Sequence, residues 1–120
     1  MRKKFKPAFN GICIALKDKS ICIQLVLGLI TLFFSVLIMH ATVLEMLFII
    51  SAVASVVLAE MFNTCIEKTC DLYTTEMSEK VRVIKDLAAG TVLCSAIYAV
   101  CVAVLVIVLH FGGFNYKEVK

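Results

Sequence analysis

Four polar side chains on one predicted helix could carry chemistry: Glu60, Asn63, Glu67 and Asp71. They stand at i, i+3, i+7 and i+11, so at 100° per residue they fall at about 0°, −60°, −20° and +20°, on one stripe of the helix. The preceding residues, 44–58, are mostly apolar. A carboxylate at the end of such a run is costly unless it is paired, hydrated or bound to a ligand. The stripe therefore predicts a site for a cation, or for a polar group that must meet a lipid.

The elements that position this stripe are predicted to be membrane helices. Of the 120 residues 62% are hydrophobic, and the mean hydropathy is +1.00, whereas soluble domains are about 45–50% apolar. Three apolar segments, 21–39, 43–66 and 87–109, are long enough at about 1.5 Å per residue to cross a hydrocarbon core of about 30 Å. Lipid offers the backbone no hydrogen-bond partner, so helices are expected. We therefore expect one all-α integral membrane domain, residues 1–120, with three transmembrane helices.

Residues 1–19 are basic and precede the first span. Apolar side chains recur there at a spacing of three and four: Phe5, Ala8, Phe9, Ile12 and Leu16. This pattern predicts an amphipathic helix on the membrane surface, with a disordered basic tail as the alternative. A cleaved signal peptide is disfavoured, because the apolar run begins only near Ile21 and exceeds the usual h-region of about 7–15 residues.

Lysine and arginine are distributed unevenly along the chain. Six of the twelve precede the first span and four lie between the second and third spans: Arg2, Lys3, Lys4, Lys6, Lys17 and Lys19, then Lys68, Lys80, Arg82 and Lys85. The positive-inside rule therefore predicts a cytoplasmic N-terminus and second loop, with the first turn and the C-terminus outside. The net charge of +3 is accounted for by topology, and no basic stripe with interleaved aromatics indicates a nucleic-acid partner.

The remaining reactive residues add little chemistry. His40 and His110 belong to the outer side, where Glu45 is expected to be an interfacial anchor. The six cysteines form no CxxC pair and are predicted to be reduced, structural thiols. The sequence has no Walker-type glycine loop and no protein-kinase motif set.

Charged residues from all three spans gather at one predicted depth, the cytoplasmic boundary. Lys85 and Asp86 open the third span where Glu67 and Asp71 close the second, and Asp18 precedes the first. The linker 72–85 has no Gly or Pro and is either a loop or an extended helix end. Carboxylates from different helices suit Mg²⁺, which usually takes one or two protein carboxylates together with nucleotide phosphates.

The order of these motifs resembles the prokaryotic diacylglycerol kinase family over nearly the whole chain. The motifs are E-x-x-N-x-x-x-E-x-x-x-D, from Glu60 to Asp71, and K-D-x-A-A-G, from Lys85 to Gly90. The stretch N-T-x-I-E-K-T-x-D-L, residues 63–72, is similar to the Gram-positive branch, whose members phosphorylate undecaprenol. The resemblance implies a homotrimer with active sites shared between subunits, at the cytoplasmic side of the bacterial inner membrane.

The resemblance also implies roles for individual residues. Glu60 matches the catalytic base and Asn63 the neighbouring active-site amide, and both, with Ala89, are candidate substrate contacts. Glu67 matches a metal ligand. Asp18, in D-K-S-x-x-x-Q, matches the second metal ligand if one upstream residue is deleted.

A nucleotide site is implied by the same comparison. Its candidate residues are Asp18, Glu67, Glu76, Met77, Ser78, Lys85 and Asp86, with Asp71 in a supporting role. The family's Glu-Tyr-His loop signature corresponds here to Glu76-Met77-Ser78, which keeps the glutamate and lacks the tyrosine and histidine.

The sequence is therefore expected to encode an ATP-dependent lipid kinase that uses Mg²⁺ and phosphorylates a lipid alcohol, undecaprenol in preference to diacylglycerol. The alternatives are a small oligomeric cation transporter and a structural or regulatory membrane subunit. ATP consumption that depends on added lipid alcohol separates the kinase from both.

Overall fold

The structure, a computed structural model, describes residues 2–73 and 78–112, and their side chains from residue 5 onward. It consists of four helices: α1 (Arg2–Leu16), α2 (Lys19–Leu37), α3 (Val43–Tyr73) and α4 (Glu79–Phe111). Helices α2, α3 and α4 are long and apolar enough to cross a membrane. The predicted fold class is thereby confirmed: an N-terminal helix followed by three transmembrane helices, with no strand in the described parts of the chain.

Local hydrogen bonds define the helix boundaries. Asp18 caps α2, with its Oδ1 accepting from the backbone N–H of Ser20 at 3.0 Å and of Ile21 at 3.3 Å. Ser78 caps α4, with its Oγ accepting from the Val81 N–H at 3.3 Å. Such caps satisfy backbone donors that have no partner within the helix.

Between α2 and α3 the chain reverses through a left-handed residue. His40 has a φ of 53°, and the Ala41 N–H donates to the Ser35 carbonyl at 3.0 Å. Thr42 and Glu45 then form a reciprocal capping box. The Thr42 Oγ1 accepts from the Glu45 N–H at 3.2 Å, and the Glu45 Oε1 accepts from the Thr42 N–H at 2.9 Å.

Helix α3 is the centre of the bundle. It packs most extensively against α4 and less extensively against α2, while α1 contacts α2. The buried cluster lies near the α2–α3 turn and contains Met39, Ile49 and Val106. Most other apolar side chains of the three long helices are exposed in the single chain, Phe33 and Leu93 among them, as expected for surfaces that contact lipid.

Helices α3 and α4 both continue beyond the apolar segments that were expected to span the membrane. Their 31 and 33 residues correspond to about 46 and 50 Å at 1.5 Å per residue, more than a hydrocarbon core of about 30 Å. Of the two alternatives for the linker, the described residues 72–73 and 79–85 are helical extensions. The polar motifs therefore stand on rigid helix ends.

Candidate active site

The polar stripe predicted from the sequence lies on one continuous helix, α3. Asn63 and Glu67 are one turn apart, and the Asn63 Nδ2 donates to the Glu67 Oε1 at 2.9 Å. Glu60 and Asn63 are half-buried, whereas Glu67 and Asp71 are exposed. The stripe thus runs from a partly desolvated acid to a solvated one, in the direction that leads out of the membrane.

The Asn63 amide has one unused acceptor. Its Nδ2 is oriented by the Glu67 carboxylate, which leaves the Oδ1 buried and without a hydrogen-bond partner among the described residues. A buried acceptor that lacks a donor costs about 1–3 kcal/mol. This oxygen is therefore suited to accept a hydrogen bond from a bound group.

Three carboxylates share one electrostatic neighbourhood. The like charges of Glu67 and Asp18 both act on the Glu60 carboxylate, although Asp18 comes from the start of α2. The fold therefore brings the predicted base near both predicted metal ligands. A cation bound among these like charges would relieve their mutual repulsion.

Asp18 also has a structural role. Its Oδ1 accepts two backbone hydrogen bonds as the α2 cap, while a carboxylate offers about four acceptor sites in all. The capping contacts hold the side chain at the helix start and leave acceptor capacity for a cation.

The ends of α3 and α4 are joined by an ion pair. The Lys85 Nζ lies 2.9 Å from the Asp71 Oδ1, across the linker between the helices. Lys85 also interacts electrostatically with Glu67. Its ammonium group is therefore held close to the acid stripe.

The other residues predicted to contact a nucleotide have contacts or locations that differ from those of Lys85. Asp86 lies 3.5 Å from the Arg82 guanidinium, which also pairs with Glu79. Ser78 serves as the α4 cap. Glu76 and Met77 lie outside the described residues, and Ala89 is exposed on α4.

The carboxylates near Glu60 fit a hard cation that is also held by phosphate oxygens. Among the described residues, no group of three or more His, Cys, Asp or Glu side chains forms a metal-binding cluster. Two carboxylates, Glu67 and Asp18, lie in the neighbourhood of Glu60. Mg²⁺ commonly binds through one or two carboxylates plus substrate phosphates and waters, so this sparse set suits it.

A cleft among the three long helices is lined by residues other than these acids. It has a volume of about 340 Å³ and is lined mostly by apolar side chains of α2, α3 and α4, with Gln24, Thr31 and Ser35 as polar exceptions. None of the candidate site residues lines it.

One contact was not anticipated from the sequence. The interpretation of Glu45 as an interfacial anchor is wrong, because its side chain is buried and bonded to His110 of α4. The T-x-x-E spacing from Thr42 could have indicated the capping box. The partner of Glu45 lies 65 positions away, where no local pattern could reveal it. The six cysteines form no disulfide in the structure, and only Cys70 is buried.

Comparison with known proteins identifies the family. The family model described as prokaryotic diacylglycerol kinase matches residues 6–107, and no curated protein matches the chain. The matched region begins in α1, contains the whole acid stripe and Lys85–Asp86, and ends near the last turn of α4. The chain therefore belongs to the prokaryotic diacylglycerol kinase family and is a multi-pass membrane lipid kinase, which transfers a phosphoryl group to an alcohol acceptor.

Proposed function

We propose that this kinase phosphorylates undecaprenol in preference to diacylglycerol, with ATP as donor and Mg²⁺ as its metal. The observation that carries the chemistry is the α3 stripe, in which Glu60 adjoins the bonded pair Asn63–Glu67 and is near Asp18. The preference for undecaprenol rests on the similarity of residues 63–72 to the Gram-positive branch.

Glu60 is the proposed general base. It stands about two turns before Glu67, the first exposed acid of the stripe, and we place it at the depth where a lipid hydroxyl meets the membrane surface. Its carboxylate accepts the hydroxyl proton while the alkoxide oxygen forms a bond to the γ-phosphorus. The bond from that phosphorus to the β–γ bridging oxygen breaks, and ADP leaves. The Asn63 Oδ1, which has an open acceptor position, is proposed to accept a hydrogen bond from another bound donor such as a water, because the single proton of the attacking hydroxyl goes to Glu60.

Glu67 and Asp18 are proposed to hold the metal, and Lys85 to supplement its charge. When bound there, Mg²⁺ would supply positive charge that offsets the charge of the phosphates. Lys85 is held by Asp71 and can exchange this partner for a phosphate oxygen. Asp86, Glu76, Met77 and Ser78 complete the proposed nucleotide site.

The proposed setting is the bacterial inner membrane, with residues 1–120 as one membrane domain, the N-terminus in the cytoplasm and the C-terminus outside. The lysine and arginine distribution supports this orientation. We also propose a homotrimer with shared active sites. Its support is the family resemblance, together with small residues on α4 (Ala88, Gly90, Ser95, Ala96 and Ala99) that permit close helix approach. Native mass spectrometry of the active protein in lipid should give three chains, and an active monomer would contradict the proposal.

A kinase assay with purified protein tests the substrate. Undecaprenol, diacylglycerol and ceramide are supplied separately in nanodiscs with ATP and Mg²⁺, and phosphorylated lipid is measured directly. We expect kcat/KM for undecaprenol to exceed that for diacylglycerol by about tenfold or more, equivalent to about 1.4 kcal/mol. Equal or higher kcat/KM for diacylglycerol overturns the preference. The Glu60→Gln protein is the negative control and gives the background level of lipid phosphorylation.

A further inference from the structure

A buried acid and a histidine join α3 to α4 at the end of the bundle away from the candidate active site. Glu45 is 4% exposed, and the His110 Nδ1 lies 3.0 Å from each of its carboxylate oxygens. Glu45 precedes Glu60 by 15 positions, about 22 Å along α3. The pair is therefore remote from the reacting groups.

Helix capping does not explain this pair. The capping box is complete through the two hydrogen bonds between Thr42 and Glu45. An acid needed only for the cap could remain at the membrane surface, since a buried carboxylate is costly unless it is paired. The contact with His110 thus serves the association of the two helices.

Three polar contacts cross between α3 and α4 at intervals along the hairpin. They are Glu45–His110 at one end, Ser51–Tyr98 at 3.3 Å between the two hydroxyls, and Asp71–Lys85 at the other end. The spans between the end contacts match: 71 − 45 = 26 residues on α3 and 110 − 85 = 25 on α4, or about 39 and 38 Å. A slip of one turn, about 5.4 Å, would break all three contacts.

The rest of the α3–α4 contact is mainly apolar. In a membrane, contact between two apolar helix surfaces is only slightly more favourable than contact of each surface with lipid. Polar contacts and close packing therefore determine the register of the two helices. We propose that Glu45 and His110 are positioning residues, a register lock that aligns the far end of α4 so that Lys85 meets the α3 stripe at Asp71. The catalytic part of this inference rests on the proposed function.

The test compares the parent with the double variant Glu45→Gln/His110→Leu in nanodiscs. The glutamine amide oxygen keeps an acceptor for the Thr42 N–H, and the double change leaves no unpaired buried charge, so folding is retained. The matched control is Thr42→Ala, which removes the cap hydroxyl and leaves the Glu45–His110 contact in place.

The first readout is the distance between spin labels at Lys68 and Val83, exposed positions on the far ends of α3 and α4. It is measured by pulsed electron resonance in a cysteine-free, active background. The register lock predicts one narrow distance in the parent and the control, and a broadened or shifted distance in the double variant. An unchanged distance in the double variant overturns the proposal, whatever its activity.

The second readout is the kinetics of the same proteins. We expect KM for ATP to rise roughly three- to tenfold in the double variant, with KM for lipid unchanged. A merely stabilising pair would lower thermal stability and leave KM for ATP unchanged, which overturns the positioning role. If the parent phosphorylates no lipid but the distance change occurs, the proposed function fails and the register lock stands.

Discussion

At the scale of single residues, the candidate site depends on how differently its polar groups are solvated. Glu60 and Asn63 are half-buried, while Glu67 and Asp71 face outward. Asn63 is bonded through its amide nitrogen and keeps a buried oxygen without a partner among the described residues. This combination supports the proposed roles of Glu60 as the base and of Asn63 as a neighbouring acceptor.

Glu60→Gln should lower kcat by about 10²–10⁴-fold, the usual contribution of a general base, because glutamine keeps the volume and loses the proton acceptor. Turnover of undecaprenol at saturating ATP is the measurement. Glu79→Gln, the same change at an exposed position of α4, should leave turnover nearly unchanged. A Glu60→Gln protein with more than about half of the parental rate would remove Glu60 from the mechanism, since a general base contributes far more.

Asp18→Asn separates metal binding from helix capping. Asparagine caps a helix about as well as aspartate, so the start of α2 should be preserved while one negative charge is lost. We expect a higher Mg²⁺ requirement and a higher KM for ATP, with unchanged KM for lipid. Glu67→Gln should show the same pattern more strongly, because its match to the family motif needs no gap.

Mg²⁺ titrations at fixed ATP, run on both variants, decide between candidate ligands. Asp18→Ala is the complementary control, because it loses the cap as well and should also lower stability by about 1 kcal/mol. If activity depends on Mg²⁺ concentration in the same way in Asp18→Asn as in the parent, Asp18 is not the second ligand, and Asp71 or Asp86 becomes the candidate.

At the scale of helices, close approach of α2 to α3 depends on one glycine. Gly28 is buried, and a Cβ there would overlap the Val53 Cγ1. Small residues at such crossings allow close packing in lipid, where association relies on van der Waals contact. Since α2 follows Asp18 directly, this crossing also helps to hold Asp18 near the α3 stripe.

Gly28→Ala should therefore destabilise the protein by about 1–3 kcal/mol through overpacking. Thermal unfolding in a fixed lipid or detergent reports the change. Gly11→Ala is the matched control, because a Cβ at that α1 position meets nothing within 4 Å, and adding Val53→Ala to Gly28→Ala should restore stability. Unchanged stability in Gly28→Ala would mean that α2 and α3 do not need this close approach.

At the scale of the whole molecule, the kinase interpretation is confirmed by the family match, which decides against the transporter and structural alternatives. Three apolar helices identify a multi-pass membrane protein. The orientation proposed for this bundle rests on charge alone: ten of the twelve lysines and arginines lie before α3 or between its polar end and the third apolar segment.

Cysteine labelling in intact cells tests this orientation. In a cysteine-free background, Glu76→Cys should resist a membrane-impermeant maleimide until the membrane is permeabilised, whereas Lys120→Cys should react from outside, because positively charged loops are retained in the cytoplasm. Blotting for labelled protein before and after permeabilisation provides the measurement. Labelling at position 76 from outside intact cells would show that the proposed orientation is wrong.

The sequence alone determined the features that depend on local periodicity and composition. Apolar length indicated three spans, and the spacing from Glu60 to Asp71 placed four polar groups on one helix face. These inferences succeed because lipid enforces helices, and a helix fixes the relative direction of nearby side chains.

Only the tertiary structure decided which helices pack and in which register. It centred the bundle on α3, brought Asp18, the cap of α2, near Glu60, and paired Asp71 with Lys85. It also buried Glu45 against His110, 65 positions away. Such contacts depend on the rotation and the axial offset of one helix against another. A 3.6-residue period in the sequence identifies the apolar face of a helix, but it does not identify the helix that packs against that face.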